Sequence, residues 1–234
     1  MTNTEINGCV AEENGGAVYV YGAKFTMKDS AKVDTNNDVH LSTNAKIIVA
    51  ESLTGTAPVA RITVPDTKYQ VGTQVLTGSK VSSNHLKFSV TRGGSPVKDW
   101  YVDKNGKLTD SITDIFNNIT RDAIQAVESS MTSNGTSTPK EKLEGKLLLY
   151  KTSEGNYGIM HVTEVNTGPT GYIKFNYKTF KSGGAVQSGN DITLSKTWVF
   201  NLDDGTDDGA YDFQFTEHGY FWPYNGAKFY ILGN

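Results

Sequence analysis

Cysteine is almost absent from this sequence, because Cys9 is the only one among 234 residues. A single cysteine excludes an internal disulfide and a multi-cysteine metal cluster. The same count suits a cytosolic protein and many exported bacterial proteins equally. No histidine lies near Cys9 in the sequence, so we expect it to be a small buried residue rather than a nucleophile.

Long apolar runs are also missing. No run reaches the roughly 18 residues that indicate a transmembrane helix, and Met1 is followed by the polar segment TNTEINGC. The sequence therefore predicts neither membrane insertion nor a signal peptide. Because the first residues read as half of a repeat unit, we expect a fragment of a longer protein. In a fragment, the missing signal says nothing about where the whole protein goes.

The chain lacks an excess of charge of either sign. It carries 22 basic and 25 acidic residues, a net charge of -3, and only 20% charged residues. This balance gives no general attraction to nucleic acid or anionic lipid, so we expect no nucleic-acid partner. Gly, Thr, Asn, Ser and Tyr are abundant instead, which is typical of short strands and tight turns. We predict a mostly β protein.

A repeat lies in the first quarter of the chain. VYV at Val18–Val20 is echoed by VHL at Val39–Leu41, and AKFTM from Ala23 is echoed by AKIIV from Ala45. These echoes recur every 21 to 22 residues. Short strands that repeat at such an interval predict a parallel β-solenoid, in which each coil stacks on the previous one. We expect these alternate apolar residues to point inward: Val18, Val20, Phe25, Met27, Val33, Val39, Leu41, Ile47 and Val49.

The repeat is broken before residue 108. Pro58 and Pro65 mark strand starts or edges, because proline cannot donate to a central ladder. Asn105–Gly106 predicts a hairpin with a two-residue turn of the primed type. We therefore expect antiparallel strands that cover the open edge of the last coil.

A resemblance is carried by four segments of residues 6–108: NGGAVYVYGAKFTM, NDVHL, IIVAESLTGTAPVARITVPDTKYQVGTQVLTG and NHLKFSVTRGGSPVKDWYVDKNGKL. They resemble the end of the right-handed parallel β-helix (pectin-lyase-like) repeats in large surface proteins of host-associated bacteria, spirochaetes among them. The resemblance implies a stalk that displays a C-terminal module, in an extracytoplasmic protein at the cell surface or secreted. Some pectin-lyase-like relatives are polysaccharide lyases or hydrolases, but Asp29, Asp34 and Asp38 are predicted to lie in turns and do not form their catalytic cluster.

One amphipathic helix is predicted over Thr109–Met131. Asp110 or Ser111 is placed to cap its start, and Asp114 follows Ser111 in capping-box position. Its apolar stripe covers only about three turns, which favours packing against one domain over a coiled-coil seam for oligomerisation. The stripe consists of Ile112, Ile115, Phe116, Ile119, Ala123, Ile124 and Val127.

The second half is predicted to be a separate module. Residues 132–142 are polar and read as a linker, after a first domain at 1–108 and a helix at 109–131. Residues 143–234 hold five or six alternating segments separated by turn signals, which predict an antiparallel β-sandwich or barrel. The segment YIKFNYKTF alternates between two faces. We expect one face to be buried and the other to be exposed to solvent. The face expected to be buried consists of Ile173, Phe175, Tyr177 and Thr179.

An acidic run in the second module is a candidate calcium site. Clustered carboxylates separated by glycine repel one another unless they are solvated or share a hard cation. Their spacing is not that of an EF-hand loop, and a solvated hairpin is the alternative. The predicted metal ligands are Asp203, Asp204, Asp207 and Asp208, and no other cofactor is predicted.

Aromatic residues beside the acidic run are the candidate ligand-binding residues. Tyr220, Trp222 and Tyr224 fall in a predicted loop, EHGYFWPYNG, where no sheet buries them. With Asp203 and Asp204 they predict contact with a glycan or with a host or envelope protein. By contrast, the strand aromatics are expected to form the core: Trp198, Phe200, Phe213 and Phe215.

Three functions are compatible with these features. The favoured one is a non-enzymatic, adhesin-like surface or secreted protein, with a β-helix stalk and a C-terminal binding module. The second is the terminal and accessory part of a polysaccharide-degrading β-helix enzyme whose catalytic coils lie upstream. The third is a structural cap or oligomerisation module. No catalytic residue is predicted, because the four histidines are scattered and no nucleophile motif is present.

Overall fold

A computed structural model of the protein describes residues 1–11, 16–133, 143–166, 168–207, 210–216 and 220–232. The protein is mostly β, as predicted, with 40% strand and 12% helix. Its chain divides into two compact units, one spanning Met1–Ser129 and the other Ser130–Leu232. The division falls between the two β-rich halves that the sequence indicates.

The first unit is built from short strands that pair in parallel. Strands β2, β5, β7 and β9 form one sheet, β3, β6 and β8 a second, and β1 and β4 a third. All of these pairs are parallel. The strand bounds are β1 (Glu5–Ile6), β2 (Val18–Val20), β3 (Lys24–Thr26), β4 (Lys32–Val33), β5 (Val39–Leu41), β6 (Lys46–Ile48), β7 (Ala60–Thr63), β8 (Leu76–Thr77) and β9 (Phe88–Val90).

The register of the first pairs is the one that the sequence repeat predicts. Val18 pairs with Val39, and Lys24 pairs with Lys46. The connection from β6 to β8 is longer, because it includes β7 and the 3-10 helix Asp66–Lys68. Ladder hydrogen bonds and the inward apolar row hold parallel strands together, so the connecting chain is free to vary in length.

The core of the first unit contains the predicted inward residues. Val18 and Phe25 are half-buried and pack against it. The others are at most 5% exposed: Val20, Met27, Val33, Val39, Leu41, Ile47 and Val49. The alternation seen in the sequence therefore identifies the core face correctly.

Cys9 is exposed, so the prediction that it is buried is wrong. It lies in the segment 7–11, which forms no strand. Its thiol donates to the Asn7 carbonyl at 3.5 Å, a local contact within this segment. Without a strand, the period-two alternation that would turn the side chain toward the core does not apply.

The hairpin at Asn105–Gly106 is confirmed, but its predicted turn type is wrong. It joins β10 (Tyr101–Val102) to β11 (Leu108–Thr109). Gly106 has a φ of 78°, but Asn105 is not in the left-handed region, which both primed two-residue turns require of the first central residue. The turn is longer than two residues and covers residues 103–107. The Asp103 carboxylate stabilises it by accepting from the Asn105 and Lys107 amides at 2.9 and 2.8 Å.

This hairpin covers a strand edge, as the sequence predicts. The Gly106 carbonyl accepts from the Val75 and Leu76 amides, each at 2.9 Å. These bonds occupy the side of β8 that does not pair with β6. A sheet edge that is bonded in this way no longer offers a free ladder.

The predicted single helix is two helices. These are α2 (Ile112–Asn118) and α3 (Arg121–Ala126), preceded in the chain by α1 (Val81–Asn84), which the sequence did not suggest. Ser111 caps α2 as predicted. The break occurs at Ile119 and Thr120, because the Thr120 hydroxyl accepts from the Ala123 amide and starts a new helix.

The apolar stripe of these helices is used for packing within the chain. Helix α3 contacts α1 and the 3-10 helix His85–Lys87. The buried members of the stripe are Ile115, Phe116, Ile119, Ala123, Ile124 and Val127. This burial confirms the packing alternative for the stripe.

The second unit contains two antiparallel sheets. Strands β15, β14, β13, β12 and β19 form one sheet in that order, and β16, β17 and β18 form the other. The bounds are β12 (Leu147–Lys151), β13 (Tyr157–Asn166), β14 (Tyr172–Phe180), β15 (Val186–Ser195), β16 (Val199–Phe200), β17 (Phe213–Phe215), β18 (Phe221–Pro223) and β19 (Lys228–Ile231). Of the predicted linker, residues 134–142 lie outside the described residues, and Thr132 forms an antiparallel bridge to Phe229.

An aromatic core lies between these two sheets. Phe175 of the larger sheet contacts Phe200 and Phe213 of the smaller one, with ring centroids 5.2 and 5.7 Å apart. The face predicted to be buried in β14 is confirmed, because its residues are at most 1% exposed: Ile173, Phe175, Tyr177 and Thr179.

Trp198 is not part of this core, so that prediction is wrong. It is 52% exposed, whereas the other three strand aromatics are buried. The predicted strand through residue 198 is interrupted at Thr197, which has a φ of 69°. This turn ends the alternation before β16 begins, and Trp198 lies outside the strand.

Candidate functional site

The aromatic segment near the C-terminus is a strand and not the predicted loop. In the smaller sheet, β18 pairs with β17 so that Gln214 lies opposite Trp222. Phe221 and Pro223 are buried, while Trp222 is 40% exposed. Because side chains alternate along a strand, Trp222 projects from the face opposite the core. Tyr220 and Tyr224 flank β18, and Tyr220 is 38% exposed while Tyr224 is half-buried. We call these three residues the aromatic strip.

The aromatic strip is held in place at both ends. At one end, the Thr216 amide donates to the Tyr220 carbonyl at 2.9 Å, and the Tyr220 amide donates to the Thr216 hydroxyl at 3.0 Å. At the other end, the Tyr224 ring packs against the Tyr211 ring with centroids 4.9 Å apart. These contacts restrain the residues on either side of Trp222.

A side-chain amide lies beside the rings. Gln214 occupies the position opposite Trp222, and its amide nitrogen donates to the Thr197 carbonyl at 2.9 Å. Its amide oxygen accepts from the Tyr224 hydroxyl at 3.4 Å. The outward face of this sheet thus combines apolar ring faces with fixed hydrogen-bonding groups.

The predicted acidic ligands differ in how far their side chains are buried. Asp203 is fully buried, which removes its carboxylate from any surface contact with a glycan. Asp204 is exposed and forms an ion pair with Lys181 at 3.5 Å. Asp207 is exposed, and Asp208 lies outside the described residues.

Asp203 and Asp212 are both buried in the second unit, each with 0% exposure. The Asp212 carboxylate accepts from the Ser153 amide at 2.7 Å and from the Leu202 amide at 2.8 Å. Burial raises the pKa of Asp212. One oxygen of Asp203 accepts from the Asn156 side-chain amide at 2.9 Å.

Glu154 is an acidic neighbour that the sequence did not single out. Its pKa is raised chiefly by the negative charge of Asp203, then by burial and by Asp204, while Lys181 opposes the shift. The only sequence signal is its place in a turn between two strands. In the part of the chain that the structure describes, no three His, Cys, Asp or Glu side chains form a group that could hold a metal ion.

The first unit contains a cavity of about 200 Å³ beside α2. Its polar lining includes His85, Asp103, Lys104, Asp114 and Asn118. His85 is buried, which lowers its pKa to about 4, and its Nδ1 lies 3.1 Å from the Ser82 carbonyl. His85 is therefore neutral at pH 7, and Asp103 is already engaged in its own turn.

Comparison with protein-family models, with curated proteins and with solved structures finds no match for this chain. Among the described residues, no helix combines the length and the apolar character needed to cross a membrane. The geometry of the chain's own residues is therefore the basis for assigning a function.

Proposed function

We propose that this chain is a non-enzymatic binding module of a surface or secreted protein, and that the aromatic strip binds a glycan. The observation that carries the proposal is the exposure of Trp222 on the outer face of β18, with exposed Tyr220 and half-buried Tyr224 on either side of it. Exposed rings on a rigid element are costly to leave in water and are typical of binding surfaces.

The chemistry of the strip favours a glycan over a protein partner. A pyranose ring has an apolar face of C–H groups, which stacks on an aromatic ring, and an edge of hydroxyls, which needs hydrogen-bond partners. The strip offers the Trp222 ring beside the Gln214 amide. It is one strand wide and interrupted by this polar group, unlike the broad apolar patch of a typical protein interface.

The proposal gives the two units different roles. The parallel sheets of the first unit wind as the end of a right-handed β-helix and act as a stalk. The two antiparallel sheets of the second unit form a β-sandwich that displays the strip. Parallel pairing at the interval of the sequence repeat supports the first part, and the shared aromatic core supports the second.

The test is a glycan-array screen of the full chain, followed by titration of each glycan that binds. We expect Trp222→Ala to abolish binding and Tyr220→Ala to weaken it by at least tenfold. Trp198→Ala is the matched control, because Trp198 belongs to the same unit and is even more exposed, at 52%. We expect this control to bind as the unaltered chain does.

Two results contradict the proposal. One is glycan binding that Trp222→Ala leaves unchanged, which places the site elsewhere. The other is the absence of binding to any glycan, which favours a protein ligand or the structural role.

A further inference from the structure

The cavity beside α2 in the first unit combines an apolar lining with polar groups, and the proposed function does not use it. Its apolar lining consists of Val71, Leu108, Ile115 and Ile119. The last three of these residues are at most 7% exposed. A water molecule takes up about 30 Å³ in the liquid, so a cavity of about 200 Å³ has room for a ligand of about six heavy atoms.

His85 supplies this cavity with a hydrogen-bond acceptor that the fold does not use. The residue lines the cavity and is 2% exposed. Its Nδ1 lies 3.1 Å from the Ser82 carbonyl, which only accepts, so Nδ1 carries the proton of the neutral ring. Nε2 is then an acceptor, and it has no hydrogen-bond partner among the described residues. A buried acceptor without a partner is unfavourable unless water or a ligand donates to it.

Two carboxylates of the same lining add negative charge. Asp103 accepts from the two amides of its turn through Oδ1, and its Oδ2 has no hydrogen bond to a described residue. Asp114 lies in the first turn of α2 and is exposed. Lys104 is the one cation among the described residues that line the cavity. Two carboxylates against one ammonium leave a net negative charge, which favours a cationic ligand.

We propose that this cavity binds a small organic ammonium ion, with a primary ammonium group on a short apolar stem. The ammonium has three N–H donors, for which His85 Nε2 and the Asp103 and Asp114 carboxylates are acceptors. The stem packs against the apolar lining and leaves water. Among the described residues, no three His, Cys, Asp or Glu side chains form a group that could hold a metal ion. The proposal concerns the first unit and does not depend on the aromatic strip.

An NMR titration of the full chain, labelled with ¹⁵N, tests the proposal with probes of matched size. The probes are n-butylammonium, 1-butanol and butyrate, which share a four-carbon stem and differ in their polar group. We expect n-butylammonium to bind at one site with a Kd on the order of 1 mM, because so small a ligand binds weakly. It should bind at least tenfold more tightly than 1-butanol, and butyrate should not bind.

Methylammonium tests the contribution of the stem. It has the same charge as n-butylammonium and lacks three methylenes. We expect it to bind at least tenfold more weakly, because each buried methylene strengthens binding by about fourfold.

Substitutions in the cavity test the acceptors. His85→Asn should weaken n-butylammonium binding at least tenfold, and Asp114→Asn at least fivefold. Asp114→Asn keeps the test valid if His85→Asn is too unstable to study, because Asp114 is exposed. Asp122→Asn is the matched control, since Asp122 is exposed in the first turn of α3 and does not line the cavity. We expect this control to bind n-butylammonium as the unaltered chain does.

Three results overturn the proposal. The first is the absence of any response of the unaltered chain to n-butylammonium at ten times the expected Kd. The second is equal affinity for n-butylammonium and 1-butanol, which means that the carboxylates do not select the ligand. The third is equal weakening by Asp114→Asn and Asp122→Asn, or by neither, which places any binding outside this cavity.

Discussion

The side-chain amide of Asn156 donates to Oδ1 of Asp203 at 2.9 Å and joins two turns of the second unit that are far apart in the sequence. The Asn156 oxygen accepts from the Ser182 amide, so the same side chain also holds a third segment. Asn156 and Asp203 are both buried. A buried side-chain amide whose nitrogen and oxygen both form hydrogen bonds is expected to contribute strongly to stability.

Replacing Asn156 with alanine is therefore expected to lower the free energy of unfolding by about 2 to 3 kcal/mol. The change removes the hydrogen bond to the Asp203 carboxylate and the acceptor of the Ser182 amide. Urea unfolding of the full chain, followed by tryptophan fluorescence, measures the effect.

Asn118→Ala is the control for this change, because Asn118 is exposed and bonds only within its own helix. Its cost should be below about 0.5 kcal/mol. Equal costs for the two variants would show that the contact between Asn156 and Asp203 is not important for stability.

Adjacent residues of β18 are expected to respond in opposite ways to alanine substitution. Phe221 stacks on Phe213 with centroids 4.5 Å apart and meets Phe229 edge-on at 4.7 Å. Phe221→Ala should cost about 3 to 5 kcal/mol through lost burial and a cavity. Trp222→Ala should cost less than about 1 kcal/mol, because Trp222 faces outward.

Thermal or urea unfolding of both variants checks this prediction. Comparable costs for Phe221→Ala and Trp222→Ala would mean that the segment does not alternate as a strand. The comparison also supports the binding experiment, since a stable Trp222→Ala variant that loses glycan binding has lost a contact and not the fold.

His85 is expected to make the first unit less stable in acid. Burial lowers its pKa from 6.5 to about 4 in the folded chain. The unfolded chain therefore binds the proton more tightly, and stability is complete above pH 6.5 and is lost as the pH falls toward 4. The expected loss over this window is about 3 kcal/mol.

His85→Asn isolates this contribution, because its amide can still donate to the Ser82 carbonyl but does not titrate in this range. Urea unfolding of both proteins at several pH values gives the difference in stability. We expect the difference to change between pH 6.5 and 4 and to be constant above it. If the free energy of unfolding depends on pH in the same way in both proteins, His85 is not the group responsible for the loss of stability in acid.

Lys87 is expected to change stability with pH in the same direction as His85, but in an alkaline window. Its side chain is 2% exposed, and its ammonium donates to the Gly55 carbonyl at 2.6 Å. Burial lowers its pKa from 10.5 to about 8. Because the unfolded chain holds this proton more tightly, the stability of the folded chain rises as the pH increases from 8 to 10.5.

Lys87→Met is the comparison for this prediction, since methionine keeps most of the buried volume and has no charge. The stability of the unaltered chain relative to this variant should increase by about 2 kcal/mol over that window. A relative stability that does not change with pH would show that the Lys87 ammonium is solvated in the folded chain.

The strand pairs of the first unit were predictable because their signal is local and repeated. The echo of Val18 by Val39 marks both a strand and its partner, and the inward alternation marks the core. Cys9 was predicted incorrectly, because the repeat was extended into a segment that forms no strand. The single helix over Thr109–Met131 was wrong, because the apolar stripe continues through the break that the Thr120 cap creates.

The sequence alone identified the residues of the aromatic strip and the acidic segment, since unusual clusters of rings and carboxylates are visible without a fold. Only the tertiary structure decided where their side chains lie. Strand pairing turned Trp222 outward and Phe221 inward, although both are aromatic and adjacent. Packing in the second unit buried Asp203 and left Asp204 in solvent. Burial and proximity depend on contacts between segments far apart in the chain, and no local pattern encodes those contacts.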